Sequence, residues 1–431
     1  MVNKEKLIGL TYLILFSCAG FIYSTKVIDY VGIQWYYLSY LNLALLGYII
    51  FKRINKQSKV NPPPFFSNPI NLLYFIFFII CLASTITSIN YSVSIVAISK
   101  IVISLTSLFI INELEVFQKV SLKHLAALIS FYLLIEVGFS LRGYYSVIEV
   151  TDFKFSMAET YLKGIASNKN VTSSSIAFKL PFLYILFYSY KNKFLRFLLI
   201  LICCIAYFNL ILLSSRAIIL SVTLCILFYI FGSIISFYRS KENFKIYIKQ
   251  IGIYLLPIIL AISYAYSVIE DQDIKIENRV STVNIKDVSA TTRLRYYEKG
   301  INYFLENPIF GCGIGNWQLI SIKMDSDKIQ SYIVPYVAHN DFIELLTEIG
   351  ILGALSYLLF VLSPLYFLIK IFFNSSEHKI RNTALILTLP FIIYFVDSNL
   401  NFPQYRTIMQ VGLIMYLMIV YSFYKKQKIK F

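Results

Sequence analysis

The stretch AHNDFIELLTEIGILG, residues 338–353, sets acidic side chains at the start of a long apolar segment. Asp341, Glu344 and Glu348 follow the spacing i, i+3, i+7, so a helix would carry all three on one face. Apolar side chains cover the rest of that helix. The apolar run continues to about residue 369, which is long enough to cross a membrane. The stretch therefore predicts a membrane helix with acidic groups at the end where it enters the bilayer.

The composition of the whole chain also favours a membrane protein. Of the 431 residues, 58% are hydrophobic and 14% are charged, whereas soluble domains hold about 45–50% apolar and about 25% charged residues. A soluble chain this apolar would expose large hydrophobic patches. The net charge of +16 comes from Lys and Arg residues between apolar runs, as membrane topology requires. No nucleic-acid motif accompanies that charge, so we expect no nucleic-acid partner.

The cysteines and histidines of the chain do not indicate a metal site. The chain has six cysteines and three histidines, and their spacing fits neither a disulfide framework nor a metal site. We therefore expect no metal and no cofactor.

At the N-terminus, basic residues precede an apolar run from Leu7 to about Tyr23 with no small-x-small cleavage site. This pattern favours a retained first span over a signal peptide.

Long apolar segments recur along the whole chain. A spanning helix needs about 20 apolar residues, within a range of about 17–25. By that criterion we predict an all-α polytopic membrane protein with about twelve transmembrane helices. The predicted spans are 7–23, 35–51, 70–89, 93–111, 122–140, 171–190, 197–213, 217–237, 250–268, 341–369, 383–398 and 407–424.

Basic residues lie mainly in alternate loops. The loops after spans 2, 4, 6, 8 and 10 and the C-terminal tail all hold lysine or arginine, and the positive-inside rule makes that side cytoplasmic. Both termini are then cytoplasmic. The predicted organisation is spans 1–9 over residues 1–268, one large outer loop with short helices over 269–338, and spans 10–12 over 339–431.

Charged residues also occur inside the predicted spans. A charge at the bilayer centre costs about 2.5–3.5 kcal/mol, so such residues need compensation. We interpret them as part of a polar cavity, open to the outer side and mainly positive, that suits an anion such as a lipid-linked phosphate. The alternative is snorkelling of the side chains to the interface, which fits Arg406 and Asp397 equally well. The residues, each in the outer half of its predicted helix, are Lys100, Glu136, Lys179, Arg216, Asp397 and Arg406.

The segment SSRA, residues 214–217, lies between two apolar runs at the predicted outer face. The guanidinium of Arg216 would bind phosphate oxygens through paired donors and would remain charged there. An ordinary arginine in a helix connector is the alternative interpretation.

The segment TTRLRYYEKGINYFLENP, residues 291–308, predicts a helix in the large outer loop. Thr291 or Thr292 would cap this helix, and Pro308 would end it. Its apolar stripe would let it lie on the outer membrane surface, and packing on the loop's own core is an equal alternative. In both arrangements Arg293 would project from the first turn toward the cavity.

A glycine-rich segment follows that helix. GCGIGNW, residues 311–317, has the spacing G-x-G-x-G without a βαβ context, so it is not a dinucleotide fingerprint. We predict a tight backbone turn that seats the loop against the membrane.

His339 lies just before the tenth predicted span, which Asp341 would cap with Glu344 reaching back. The positive end of a helix disfavours the imidazolium form, and a neutral imidazole is what a general base requires. A purely structural histidine is the alternative. Three like charges on one helix face repel one another, so we expect basic side chains to face the acidic stripe. The available residues are Lys100, Lys179 and Arg216.

Taken in chain order, several motifs follow a known pattern. They are SR at an outer connector, R-x-x-x-aromatic in the long loop, NP-x-x-G-x-G, and HN followed by G-x-x-G. The matching residues are Ser215-Arg216, Arg293 to Tyr297, Asn307-Pro308, Gly311, Gly313, His339-Asn340, Gly350 and Gly353. This order resembles the O-antigen ligase and O-antigen polymerase superfamily. GIASNKN, residues 164–170, is similar to the family's G-x-x-x-N-x-N segment, and the likeness covers about 160–370. Tyr297 stands where the family more usually has tryptophan.

The resemblance implies a membrane glycosyltransferase of the bacterial inner membrane. Such a protein moves a glycan from undecaprenyl diphosphate to an acceptor hydroxyl at the periplasmic face, without a metal and with inversion at the anomeric carbon. Carried over by position, Arg216 and Arg293 would hold the diphosphate and His339 would activate the acceptor. The further residues expected to line the cavity are Lys100, Lys179, Asn170, Asn340 and Arg406.

The acceptor is not readable from the sequence. A ligase to lipid A–core, an O-antigen or exopolysaccharide polymerase and a protein O-oligosaccharyltransferase are all compatible with the resemblance. We favour the ligase, because the chain lacks the C-terminal module that some protein-modifying members carry. The rival from another class is a transporter or flippase of lipid-linked glycans. Its charges should extend into the cytoplasmic half, and it needs no large outer loop with a histidine at its edge.

Overall fold

The computed structural model describes residues 2–23, 29–55, 65–154, 157–240, 243–269, 288–326 and 336–428. These residues are largely α-helical and contain no β-strand, which confirms the predicted all-α fold class. The helices are α1 Val2–Cys18, α2 Tyr30–Asn55, α3 Pro69–Ala83, α4 Tyr91–Leu114, α5 Val116–Lys119, α6 Leu122–Ile148, α7 Ala158–Tyr161, α8 Lys169–Lys179, α9 Pro181–Ser189, α10 Lys193–Leu213, α11 Arg216–Arg239, α12 Phe244–Val268, α13 Val288–Glu306, α14 Trp317–Asp325, α15 Asp341–Asn374, α16 His378–Leu400 and α17 Thr407–Lys428.

Ten helices within the described residues are long and apolar enough to cross a membrane. They coincide with ten of the twelve predicted spans. The other two predicted spans also fall on helices: 7–23 on the shorter apolar helix Lys6–Phe21, and 35–51 inside the 26-residue helix α2. The ten helices are Pro69–Thr87, Tyr91–Leu114, Leu122–Ile148, Lys169–Ser189, Lys193–Leu213, Arg216–Arg239, Phe244–Val268, Asp341–Asn374, His378–Leu400 and Thr407–Gln427.

The predicted outer loop contains two short helices, α13 and α14, as expected. The prediction that Thr291 or Thr292 caps the first of them is wrong, because α13 begins one turn earlier at Val288. Its predicted end is confirmed: α13 stops at Glu306, before an Asn-Pro pair in which proline disfavours helical backbone at the preceding residue. The loop segments 270–287 and 327–335 lie outside the described residues.

The chain divides into two compact units. Unit 1 comprises Met1–Lys119, Val283–Ser363 and Ser398–Ile414. Within it, aromatic rings join α3 to the middle of α15: the ring centroids of Phe77 and Tyr357 are 5.2 Å apart, and those of Tyr74 and Phe360 are 4.8 Å apart. Such contacts hold membrane helices together by close packing.

Unit 2 comprises Val120–Thr282, Pro364–Asp397 and Met415–Phe431. Buried tyrosines cross-link its helices. The hydroxyl of Tyr184 donates to the carbonyl of Tyr254 at 3.0 Å, and that of Tyr229 donates to Asn382 Oδ1 at 2.8 Å. These bonds satisfy polar groups that lipid could not satisfy. The domain boundaries at 268/269 and 338/339 stay predictions.

Candidate functional site

The first turn of α15 is capped by Asn340. Its Oδ1 accepts hydrogen bonds from the backbone N–H groups of Phe342 at 3.0 Å and Ile343 at 3.1 Å. The prediction that Asp341 caps this helix is wrong, because the preceding amide already occupies the cap position. His339, one residue earlier, has φ of +58°. This left-handed conformation costs a non-glycine residue about 1–2 kcal/mol, so the surrounding contacts must hold it.

Glu344 is one of those contacts. Its carboxylate is 1% exposed. Oε2 accepts the backbone N–H of Ala338 at 2.7 Å, and Oε1 accepts the hydroxyl of Tyr405. Burial first, and the Glu344 carboxylate second, raise the pKa of Tyr405 well above its usual value, so the hydroxyl remains a donor. Glu344 therefore fixes the residue that precedes His339 and also the segment around Tyr405.

The other acids of the stripe are buried as well. Asp341 is 1% exposed and Glu348 is 0% exposed. Glu348 Oε1 accepts the backbone N–H of Trp317 at 2.8 Å, and Asp341 Oδ2 accepts that of Gln404 at 3.3 Å. In the described part of the chain, the partners of Glu344 and Glu348 are neutral donors. The prediction that lysine or arginine faces these two carboxylates is therefore wrong.

The glycine-rich segment forms the tight turn that its sequence predicts. Gly311 and Gly313 have φ of +57° and +86°. A Cβ at Gly311 would lie 2.2 Å from the carbonyl oxygen of Thr347, and one at Gly350 would lie 2.2 Å from that of Ile309. Glycine is therefore required where this turn and α15 approach each other through their backbones.

Arg293 and Tyr297 lie one turn apart on α13 and contact the same region. Arg293 Nη1 donates to the carbonyl of Leu400 at 2.9 Å. The hydroxyl of Tyr297 donates to the carbonyl of His339 at 2.9 Å and lies 3.3 Å from that of Asn399. Tyr297 thus holds the backbone of His339 while Arg293 brings a positive charge beside it.

The imidazole of His339 packs edge-on against Phe402, with 5.2 Å between ring centroids. The guanidinium of Arg406 lies 4.9 Å from the centroid of the same ring. Within the described residues, no hydrogen-bond partner reaches His339 Nδ1. Burial first, and the charge of Arg293 second, lower the pKa of His339 to about 4. The imidazole is therefore neutral near pH 7, as a general base must be.

The remaining predicted residue of unit 1 is Lys100 on α4, which is half-buried. Three predicted residues belong to unit 2. Lys179 is buried there, and its Nζ lies 2.7 Å from Oε1 of Glu136. This pairing compensates the charge of Lys179, and its place in the lining of a cavity stays a prediction. Asn170 lies in the first turn of α8, where its N–H donates to Asn168 Oδ1 at 2.9 Å.

Arg216 is the first residue of α11 in unit 2 and is exposed. The chain reaches it through a tight connection, because Ser214 has φ of +43° and closes α10 in the left-handed conformation. The N–H groups of the first turn give this helix end a positive partial charge. Arg216 adds its full charge at the same end.

Two residues beside His339 were missed by the sequence interpretation. Phe402 and Tyr405 lie in the short connection between α16 and α17. The signal was the stretch NFPQYR, residues 401–406, in which a proline and two aromatic residues separate apolar runs. Within the described residues, no group of three or more His, Cys, Asp or Glu side chains could hold a metal ion.

The fold and the site define a polytopic α-helical membrane protein whose candidate site combines arginine with a neutral histidine. Residues 197–358 match the family model described as O-Antigen ligase. The resemblance inferred from the motifs is thereby confirmed over that segment, which contains Arg216, Arg293 and His339 and is less than half of the chain. None of the curated proteins compared with the chain matches it.

Proposed function

We propose that this protein is a membrane glycosyltransferase of the O-antigen ligase type. It would move a glycan from undecaprenyl diphosphate to a hydroxyl of a lipid A–core sugar at the periplasmic face of the inner membrane. One observation carries the proposal. Within the segment that matches the family, Tyr297 joins α13, which carries Arg293, to the backbone of His339, whose imidazole is neutral.

The two arginines would bind the donor. A guanidinium presents paired N–H donors that fit phosphate oxygens and stays charged at any physiological pH. Arg293 and Arg216 would therefore hold the diphosphate and stabilise the charge that develops on it as it leaves. In this mechanism the arginines take the role that a metal ion has in other glycosyl transfers.

His339 would act on the acceptor. As the acceptor oxygen attacks the anomeric carbon, a ring nitrogen of His339 takes the hydroxyl proton. The bond from the anomeric carbon to the diphosphate oxygen breaks, and its electron pair leaves with undecaprenyl diphosphate. A single displacement of this kind inverts the anomeric carbon. General-base catalysis typically contributes about 10²–10⁴-fold to the rate.

The experiment that tests this function uses purified protein, an undecaprenyl-diphosphate-linked glycan and a lipid A–core acceptor. We expect wild-type transfer, with and without a chelator, and loss of transfer in Arg216→Ala and in Arg293→Ala. Lysine at either position should recover only part of the rate, because a point charge lacks the paired geometry. Near-normal transfer by either alanine variant would exclude that arginine as an essential diphosphate ligand.

The acceptor is tested by deleting the gene and examining surface glycans. Loss of a ligase should leave bare lipid A–core and polymer on undecaprenyl diphosphate. Core bearing a single repeat would indicate a polymerase instead. Loss of glycoprotein staining with normal surface polysaccharide would indicate protein glycosylation. No transfer by the purified protein, combined with donor retained on the cytoplasmic side of cells that lack the gene, would favour the flippase.

The proposed topology places both termini in the cytoplasm and the loop of α13 and α14 in the periplasm. Reporter fusions that are active only in the periplasm should be silent at Lys191, between α9 and α10, and active at Lys323 in α14. The opposite pattern would show that the proposed membrane topology is inverted and that the site is not at the periplasmic face.

A further inference from the structure

Helix α13 exposes a row of apolar side chains. Leu294, Ile301 and Leu305 are 50%, 41% and 66% exposed, and Ile309, just beyond the helix, is 57% exposed. The spacing of seven and four residues places the three helical residues on one face. Soluble surfaces rarely carry large contiguous apolar patches, so these aligned apolar side chains favour an apolar environment.

The other sides of α13 are occupied by protein contacts. Thr347 Oγ1 donates to the carbonyl of Gly300 at 3.2 Å. A Cβ at Gly300 would come within 3.2 Å of both Thr347 and Trp317. The hydroxyl of Tyr297 bonds to the backbone of His339 at 2.9 Å. Because these contacts fix the rotation of α13, the apolar row faces away from the rest of unit 1.

Both ends of α13 are attached to the ends of membrane helices. Near its start, Arg293 bonds to the carbonyl of Leu400, the last residue of α16. Beyond its end, the carbonyl of Pro308 accepts the N–H of Ile351 in α15 at 2.9 Å. Since α15 and α16 are consecutive candidate spans, the beginning of α15 and the end of α16 lie on the same side of the membrane. Helix α13 therefore runs across one membrane face.

The kink of α15 sets the depth of this arrangement. Gly350, with φ of +67°, interrupts the helix. The 24 residues from 351 to 374 rise about 36 Å, enough for a hydrocarbon core of about 30 Å. The kink, and Ile309 packed on it, then lie at the bilayer boundary. Just below, Ile351, Leu352 and Leu355 are 46%, 55% and 45% exposed, so the apolar row of α13 continues into the lipid-facing surface of α15.

We propose that α13 lies in the membrane interface with Leu294, Ile301 and Leu305 inserted among lipid chains. Glu298, which lies between Leu294 and Ile301 on this face, and Asn302 beside it are both exposed, and their polar groups would lie at the headgroup level of an interfacial helix. The lipid surface is the partner because the row is continuous with the bilayer-facing side of α15. Insertion fixes the height of Arg293 at the level where a membrane lipid carries its phosphate groups. The inference does not depend on glycan transfer.

The test measures which medium surrounds α13. Leu294→Cys, Ile301→Cys and Leu305→Cys are each spin-labelled in full-length protein in which Cys18 and Cys204, the two partly exposed cysteines, are replaced by serine. The protein is placed in vesicles of phosphatidylethanolamine and phosphatidylglycerol. Power saturation then compares collision with oxygen, which concentrates in lipid, and with a nickel chelate, which stays in water. Glu306→Cys, the exposed neighbour of Leu305 on the polar side, is the matched control.

We expect oxygen collisions to exceed nickel collisions at 294, 301 and 305, and the reverse at 306. Nickel collisions as frequent at the three apolar positions as at 306 would place the row in water and overturn the proposal. Low collision rates with both reagents would show that protein covers the row, as in a second copy of the chain, and would overturn it equally. Because no glycan donor is present, failure here is distinct from failure of the proposed transferase activity.

Discussion

Removing Lys179 alone should destabilise the protein far more than removing it together with Glu136. The two charges are 2.7 Å apart, with side chains 9% and 3% exposed. Lys179→Met would leave a buried carboxylate without its cation, which typically costs about 3–5 kcal/mol. Replacing both partners of a buried pair is often nearly neutral. In Glu136→Gln/Lys179→Met, moreover, the new amide can still accept from Ser175, whose hydroxyl lies 3.0 Å from Glu136 Oε1.

The assay is thermal unfolding of purified protein in detergent. A domain of 150–250 residues loses roughly 2–4 °C in melting temperature per kcal/mol, so Lys179→Met should melt roughly 6–20 °C lower. The double variant should melt near wild type, and so should Lys191→Met, an exposed control. Equal melting of Lys179→Met and wild type would refute the reasoning, as would a double variant as unstable as the single one. Loss of glycan transfer by a stable double variant would support the prediction that Lys179 lines the donor-binding cavity.

Three further predictions concern the site in unit 1. Tyr297→Phe removes a hydrogen bond to His339 that is worth about 0.5–1.5 kcal/mol, so it should slow transfer by up to roughly tenfold. The control is Tyr303→Phe, on a different face of α13, which should not slow transfer. Gly350→Ala sets a Cβ 2.2 Å from a carbonyl oxygen and should lower the melting temperature, while Gly47→Ala, with nothing within 4 Å, should leave it unchanged or raise it. Because the pKa of His339 is lowered to about 4, kcat/KM should stay level on acidification and fall only near that pH, where the base becomes protonated. An acid limb near the ordinary histidine value would contradict the environment assigned to the imidazole.

The membrane helices were predictable because their signal is local. Each span is a continuous apolar run, and its length is set by bilayer thickness. The end of α13 was equally local, since the Asn307-Pro308 pair cannot continue a helix. The start of α13 was not predicted correctly. Two threonines resemble a helix cap, yet α13 begins at Val288.

The partners of the buried charges were less predictable, because they depend on tertiary contacts. Glu136 and Lys179 are 43 residues apart in sequence, and nothing in either segment says that the two helices pair. The acidic stripe was expected to face cations. Glu348 of the stripe instead accepts a hydrogen bond from the backbone N–H of Trp317. Every residue type except proline has this donor, so the sequence does not identify it. Asn340 and Asp341 are both good caps, so pattern alone could not choose between them.

The central claim is that His339 takes the acceptor proton. The most direct measurement is single-turnover transfer by His339→Gln, with lipid-linked donor binding measured on the same preparation. His124→Gln and His378→Gln, the other two histidines of the chain, are the controls. We expect His339→Gln to bind donor as wild type does and to transfer glycan about 10²–10⁴-fold more slowly, while both controls remain active. Transfer at the wild-type rate by His339→Gln would contradict the claim.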